Sequence, residues 1–287
     1  MKNTKLLQFF EDKFGSVDSL FDTHTHLMDL SDHELDDTVK RAIENNVKFI
    51  IDVAVDLQTS QKTLQNHIKY HDIIFPAVGI DPEVVVPGSD LYDGSIDEKK
   101  IDQLLSELEL LIGNNKDDVL MIGECGLDYY WIEKQNLSIE EKERSRYLQQ
   151  KLFIGQLKIS SKYNLPLTMH HRDSLEECLR LINESGLDLF GIFHSFTGSI
   201  SDAKNIIKNG FAIGINGIVT YKSATNLKST VEELVGEIYS PLDLYTKNIY
   251  LETDAPFLQP RGSKTRINEP SNIKLIYNFL ENGQTDK

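Results

Sequence analysis

Two imidazoles two residues apart, His24 and His26, stand near the start of the chain in Phe21-Asp22-Thr23-His24-Thr25-His26-Leu27. On an extended strand, side chains at i and i+2 share a face, so this pair offers half of a metal site. Further candidate ligands follow at the ends of later apolar runs. These are Glu124 in Gly123-Glu124-Cys125-Gly126-Leu127-Asp128, His170 and His171 before Arg172-Asp173, His194 before Ser195, and Glu252-Thr253-Asp254. Imidazoles and carboxylates without well-placed thiolates suit Zn or Mn, with Mg where carboxylate and water dominate. Cys125 adjoins Glu124, so alternation turns it to the opposite face as a core thiol. The candidate ligands exceed what one ion requires, which points to two divalent ions with Glu124 between them. Such a pair activates a water and holds the attacking and leaving oxygens of a phosphoryl displacement. The competing reading makes Glu124 a structural ion-pair partner of Arg172.

These side chains need a scaffold that brings strand ends together. Strand candidates run over 20–26, 48–55, 73–80, 119–125, 165–171, 189–196, 211–218 and 248–254. Their near-continuous Ile, Val, Leu and Phe content suits strands covered on both faces, as in parallel sheets. Helical patterns lie between them. Ser138-Ile139-Glu140-Glu141 reads as a capping box opening a helix to about Tyr163. Asp173-Ser174-Leu175-Glu176 does the same for the next, which Gly186 can stop. A last helix is expected from about Ser271 to Leu280. Eight strand–helix alternations without a break in composition predict an α/β chain folded as one (β/α)8 barrel domain. Residues 1–19 form an amino-terminal extension, expected to cover an exposed barrel surface, and 20–287 form the barrel. The stretch from Asp81 to Glu98 reads as a long loop after the third strand, either functional or an insertion. His33, His67 and His71 fall in polar stretches and are expected to face solvent.

Composition sets the surroundings. The chain has 287 residues, 45 acidic and 30 basic side chains, and a formal charge of −15. That balance disfavours unspecific nucleic-acid binding over a general basic surface. It leaves room for a phosphate substrate held by bound cations or a local basic cluster. Two cysteines are too few for a disulfide framework and fit a reducing cytoplasm. Neither a secretory pattern nor a membrane-length apolar window is present. A cytoplasmic protein is expected, or a nuclear one if the source is eukaryotic.

Five ordered blocks make the pattern specific. They are Phe21 to Leu27, Gly123-Glu124-Cys125-Gly126-Leu127-Asp128-Tyr129-Tyr130, Leu165 to Asp173, Gly191-Ile192-Phe193-His194-Ser195-Phe196-Thr197-Gly198, and Leu251-Glu252-Thr253-Asp254-Ala255-Pro256-Phe257-Leu258, with Asn268-Glu269-Pro270 beyond. Together they resemble the signature blocks of the TatD family, metal-dependent hydrolase barrels that include divalent-metal-dependent deoxyribonucleases. The resemblance implies that His24, His26 and Asp254 bind one ion, that Glu124 bridges, and that His170 and His194 bind the second. It also implies that Asp254 orients or deprotonates the water. Strand parity does not choose between His170 and His171; the family pattern His-x-Arg-Asp favours His170. The chain departs from the family at Gly79-Ile80-Asp81-Pro82, where Gly-x-His-Pro is common, and at Arg266-Ile267-Asn268-Glu269-Pro270, where an isoleucine is inserted.

Around this core, Arg172, Asp128, Arg261 and Arg266 are the expected substrate contacts. Arg172 could instead pair with Asp173 or Glu176. The loop carrying Arg261, Lys264 and Arg266 would place positive potential where a DNA end enters, or would simply be solvated. Tyr129, Tyr130 and Trp131 could stack on a frayed base, although packing is the commoner use of such a run. The expected activity is exonucleolytic hydrolysis of DNA phosphodiesters with two divalent ions (Mg, Mn or Zn). The alternatives are hydrolysis of a small amide, ester or lactone, and metal binding without turnover. DNA is the expected partner, without a membrane, and no protein partner can be inferred.

Overall fold

The computed structural model describes residues 4–94 and 96–282. Helix α1 (Lys5–Phe14) leads into β1 (Asp22–Thr25), α2 (Asp32–Glu44), β2 (Ile50–Val53), α3 (Leu57–Lys69) and β3 (Ile74–Val78). Next come α4 (Glu98–Asn114), β4 (Met121–Asp128), α5 (Tyr129–Lys134), α6 (Ile139–Tyr163), β5 (Leu167–Arg172) and α7 (Leu175–Ser185). The remainder runs through β6 (Gly191–Phe193), α8 (Ile200–Lys208), β7 (Ala212–Ile215), α9 (Thr225–Val235), α10 (Pro241–Tyr245), β8 (Ile249–Leu251) and α11 (Ile273–Glu281). One eight-stranded sheet takes the strands in chain order. The end of β1 meets the segment after β8, with Thr25 and Ala255 bridged in parallel. A parallel sheet that closes in this order, with helices between strands, is the expected (β/α)8 barrel.

Strand ends depart from the sequence expectation in a consistent way. β6 and β8 end before the last residues of their apolar runs, in which Ser195 and Asp254 adopt φ of 52° and 58°, outside the extended region. β4 is longer, since Gly126, Leu127 and Asp128 stay in register with His170, His171 and Arg172 of β5. Every strand is buried along its length except β5, which emerges at its last three residues.

The chain divides into two compact units. The first takes residues up to Asp52, Tyr70–Phe75 and those from Phe190 onward. Its base is an aromatic cluster around α1, whose Thr4 cap accepts from the Leu7 N–H. Phe10 has ring centroids of Phe21, Phe49 and Tyr250 at 5.6, 5.8 and 5.8 Å. Phe21 and Phe49 immediately precede β1 and β2, so the extension seals the amino-terminal side of these strands. The second unit takes Val53–Lys69 and Pro76–Leu189. Its spine is α6, opened by the expected Ser138–Glu141 capping box and buried through Leu148, Leu152, Phe153 and Leu157. Gly155 lets α4 approach closely, since a Cβ there would meet Leu105 Cδ1 at 2.3 Å.

Three local expectations change. Ser174 does not cap α7 with its side chain; its hydroxyl donates instead to the Leu127 carbonyl at 2.7 Å, and Asp173 sits at φ 54°. Gly186 does end that helix in the left-handed region. The loop after β3 opens with a 3-10 turn, Pro82–Val85, and buries Val84, Val85 and Val86. His67 is buried rather than solvated, with Nε2 3.6 Å from Asp118 Oδ1. Among the described residues, no helix is long and apolar enough to cross a membrane. Phe10→Ala should lower the unfolding free energy by about 3–5 kcal/mol, the usual cost of truncating a buried Phe. Chemical denaturation in chelator measures this, and a change below about 1 kcal/mol would refute the sealing role of α1.

Candidate metal centre

In the first unit, β1 shows how the imidazoles are aimed. The hydroxyls of Thr23 and Thr25 donate to the carbonyls of Leu251 (3.1 Å) and Ile51 (2.9 Å). The threonines thereby stitch β1 to its neighbours, which leaves Asp22, His24 and His26 for the other parity. His24 Nε2 lies 3.2 Å from His26 Nε2. Asp254 Oδ1 is 3.4 Å from His26 Nε2 and 3.9 Å from His24 Nε2. The His194 ring stacks on His24 at 4.0 Å between centroids, and His24, His194 and Asp254 form a group able to hold a metal ion. Burial raises the Asp254 carboxyl, but the His26 hydrogen bond and the charges of His26, His24 and His194 outweigh it. The net shift is below the usual carboxylate value.

Two buried carboxylates underpin this group. Asp22 accepts from the Thr253 N–H (2.9 Å), the Thr253 hydroxyl (2.5 Å) and the His24 N–H (3.3 Å). Burial nevertheless pushes Asp22 up to about 7. Glu252 accepts from the Ser195 N–H at 2.5 Å and lies 3.8 Å from His194 Nδ1. Gly214 makes room for it, since a Cβ there would sit 2.1 Å from Glu252 Oε2. Nothing in the sequence separates Glu252 from its neighbours except a charge directly after an apolar strand.

The second unit holds the other expected ligands. His170 Nδ1 meets Glu124 Oε1 at 2.9 Å, and its Nε2 meets Asp128 Oδ2 at 2.8 Å. That places His170, rather than His171, in the polar cluster. Asp128 is fully buried, and its other oxygen caps α5 by accepting from the Trp131 N–H at 2.7 Å. Expected as a substrate contact, it faces the His170 ring, an arrangement that would orient a histidine toward a metal. Burial opposes charge on His170, but hydrogen bonds to Asp128 and Glu124 and the nearby carboxylate charges outweigh it, so its pKa is raised. Asp81 is buried too; burial and the Glu124 charge raise its pKa well above normal.

Two glutamines missed by sequence reasoning hold this cluster from below. Gln149 accepts from the Asp128 N–H and donates to the carbonyls of Asp128 and Pro82, each at 3.1 Å. Gln156 accepts from the Ile80 N–H (2.9 Å) and donates to its carbonyl (2.8 Å). Their seven-residue spacing, two turns of α6, places both on the buried face. That spacing among Leu148, Leu152 and Leu157 is the available signal.

The remaining expected residues lie as follows. Arg172 has its guanidinium 3.8 Å from the Tyr130 centroid and 5.7 Å from that of Trp131. No ion pair joins it to Glu124, Asp173 or Glu176 among the described residues. Lys134 also lies over Tyr130 and Arg146 over Tyr129, so the aromatic run backs cations. Arg261, Lys264 and Arg266 are exposed. Their loop is tied down by Asn268, which donates to the carbonyls of Thr253 (2.7 Å) and Phe257 (2.5 Å). Glu269 anchors the same segment to Arg41 at 2.8 Å. Cys125 is a buried core thiol, as expected.

A closed (β/α)8 barrel carrying imidazole and carboxylate clusters where its strands end is the architecture of a metal-dependent hydrolase. The chain matches the family model described as TatD related DNase over residues 21–285; it belongs to the TatD family. It is 30% identical over 259 residues to the metal-dependent hydrolase YabD of Bacillus subtilis, covering 90% of this chain and 88% of that one. It is 29% identical over 262 residues to the deoxyribonuclease TATDN3 of Homo sapiens, covering 91% and 86%. Among solved structures, the TatD homologue YjjV of Escherichia coli shares the fold with a TM-score of 0.73 at 24% identity, covering 93% and 91%.

Asp128→Asn should weaken binding of Mn or Zn by roughly 10- to 100-fold, because the His170 ring loses the acceptor that orients it. Calorimetric titration measures this; unchanged affinity in a folded variant would exclude that role.

Proposed function

We propose that the protein is a divalent-metal-dependent phosphodiesterase that removes nucleotides from a DNA end. The carrying observation is the convergence of His24, His194 and Asp254, at the ends of three different strands, into one buried group, with His26 Nε2 3.4 Å from Asp254 Oδ1. The donors fit first-row divalent ions: nitrogen and oxygen atoms, with both cysteines buried as free thiols. In this reading His24, His26 and Asp254 hold one ion, and His170 and His194 a second, with Glu124 shared. Bound ions would lower the pKa of water and offset the charge of a phosphodiester.

The chain's own side chains supply the rest. Asp254, held below the usual carboxylate value, stays ionised and is the proton acceptor. Its reach is set by its backbone, whose N–H donates to the His24 carbonyl at 2.9 Å. Arg172 binds a substrate phosphate, with Tyr130 behind it. Arg261 and Arg266 draw the DNA end inward through an otherwise repulsive field. Asp128 keeps the His170 ring oriented.

Hydrolysis of a small ester, lactone or amide is the second reading, and one observation favours it. Asp81 is a buried acid within electrostatic reach of Glu124 and His170, and burial favours its neutral form, so it adds no positive charge there to grip a phosphate. End-labelled single-stranded and duplex DNA, incubated with Mg, Mn or Zn, separates the two. Nucleotide release should stop in chelator and fall roughly 10²–10⁴-fold in Asp254→Asn, the range for loss of a general base. Release that survives in both His24→Ala and Asp254→Asn would refute the site. Ester or lactone turnover without DNA cleavage would select the second reading.

A further inference from the structure

Phe257 is 58% exposed, although it sits beside the first cluster with its ring centroid 6.0 Å from that of His26. An exposed aromatic alone is ordinary. This one is displayed by a segment that is anchored along its length. The Phe257 N–H donates to the Asp254 carbonyl at 2.8 Å. Its own carbonyl accepts from Asn268 at 2.5 Å, and Asn268 is itself buried. Further along, the Gln259 carbonyl accepts from the Tyr221 hydroxyl at 3.0 Å, the Gln259 amide donates to the Thr265 carbonyl at 2.7 Å, and the Arg261 N–H donates to Thr220 at 2.8 Å. The ring is therefore presented to water by a braced backbone.

Its neighbours say what it would meet. Arg261 and Arg266 are exposed on the same loop, and the candidate proton acceptor Asp254 is three residues away. An aromatic face on one loop with exposed cations is a combination that takes up unpaired nucleotides, with the base on the ring and the backbone on the cations. The other aromatic run, Tyr129 and Tyr130, already lies against Arg146, Arg172 and Lys134. That leaves Phe257 as the ring better placed for a base.

We propose that Phe257 is the stacking platform for the nucleobase adjoining the scissile phosphodiester, which makes an unpaired or frayed terminal nucleotide the favoured substrate. The proposal rests on the nuclease reading. A duplex end must then open before its last nucleotide is cut, and the base contributes to binding without being identified.

The test compares two short single-stranded oligonucleotides that differ only in a terminal base or its abasic tetrahydrofuran analogue. With the metal-loaded enzyme, KM for the base-bearing strand should be lower by roughly 5- to 100-fold, the range of base–aromatic stacking. Phe257→Ala should collapse that ratio towards one, with the change falling on KM, and Phe257→Trp should restore it. Fluorescence anisotropy in chelator should show the same loss and recovery in binding, without turnover. Equal KM for both strands in the unaltered enzyme, or a ratio that survives in Phe257→Ala, would overturn the stacking role while leaving the nuclease reading intact. Failure of the unaltered enzyme to cut either strand would overturn both.

Discussion

Asp22 has no access to water, yet it carries three hydrogen bonds from Thr253 and His24. That one carboxyl joins the start of β1 to the segment after β8, so it helps to close the sheet and to set the cluster together. The His24 and Thr253 N–H groups share Asp22 Oδ1 and the Asp254 N–H donates to the His24 carbonyl, so His24 and Asp254 are placed relative to each other through their backbone groups. Unpaired, a buried carboxyl would be strongly unfavourable. Fully hydrogen-bonded, it rigidifies its surroundings. Asp254 depends on this arrangement, as does the turn that ends in Phe257, and Asn268 clamps the same turn from its other side.

The second unit solves the same problem with amides. Gln149 and Gln156 satisfy backbone groups of Ile80, Pro82 and Asp128, the residues that follow β3 and end β4. A neutral amide suits this position because it donates and accepts without adding charge near Asp81, Glu124 and Asp128. Asp128 then faces His170 from one oxygen and caps α5 with the other. The ring, the helix start and the strand end are thus fixed by one side chain. A cluster with this excess of buried acid suits cation binding.

The fold was legible because parallel strands buried on both faces must be apolar almost throughout, as 48–55 and 73–80 are. The strand-end ligands were legible because charge and imidazole stand out directly after such runs. Strand ends were less so: Ser195 and Asp254 leave the extended region in a backbone conformation that residue type alone does not announce. Roles within the cluster were harder again. Asp128 reads the same in sequence whether it faces substrate or a histidine ring, and only the partner across β4 and β5 distinguishes them. Gln149 and Gln156 were easily passed over because polar residues on a long helix usually face water, and only their spacing among Leu148, Leu152 and Leu157 sets them on the buried face. His67 was misread for the same reason, its polar neighbours concealing a buried face.

An acidic chain that is proposed to bind DNA must keep its few local cations from being neutralised by its many acids. Arg172 illustrates how. A guanidinium paired to a carboxylate presents little net charge, whereas one resting on Tyr130 and Trp131 keeps its full charge and its in-plane donors available. The aromatic surface also fixes the plane of the group, which lowers the entropy lost when a phosphate is gripped by two parallel hydrogen bonds. After β8, Phe257 is a ring held by its backbone on the same loop as the exposed Arg261 and Arg266. On this view the aromatic residues around the two clusters have separate uses. Tyr130 and Trp131 present a cation, and Phe257 presents its own face.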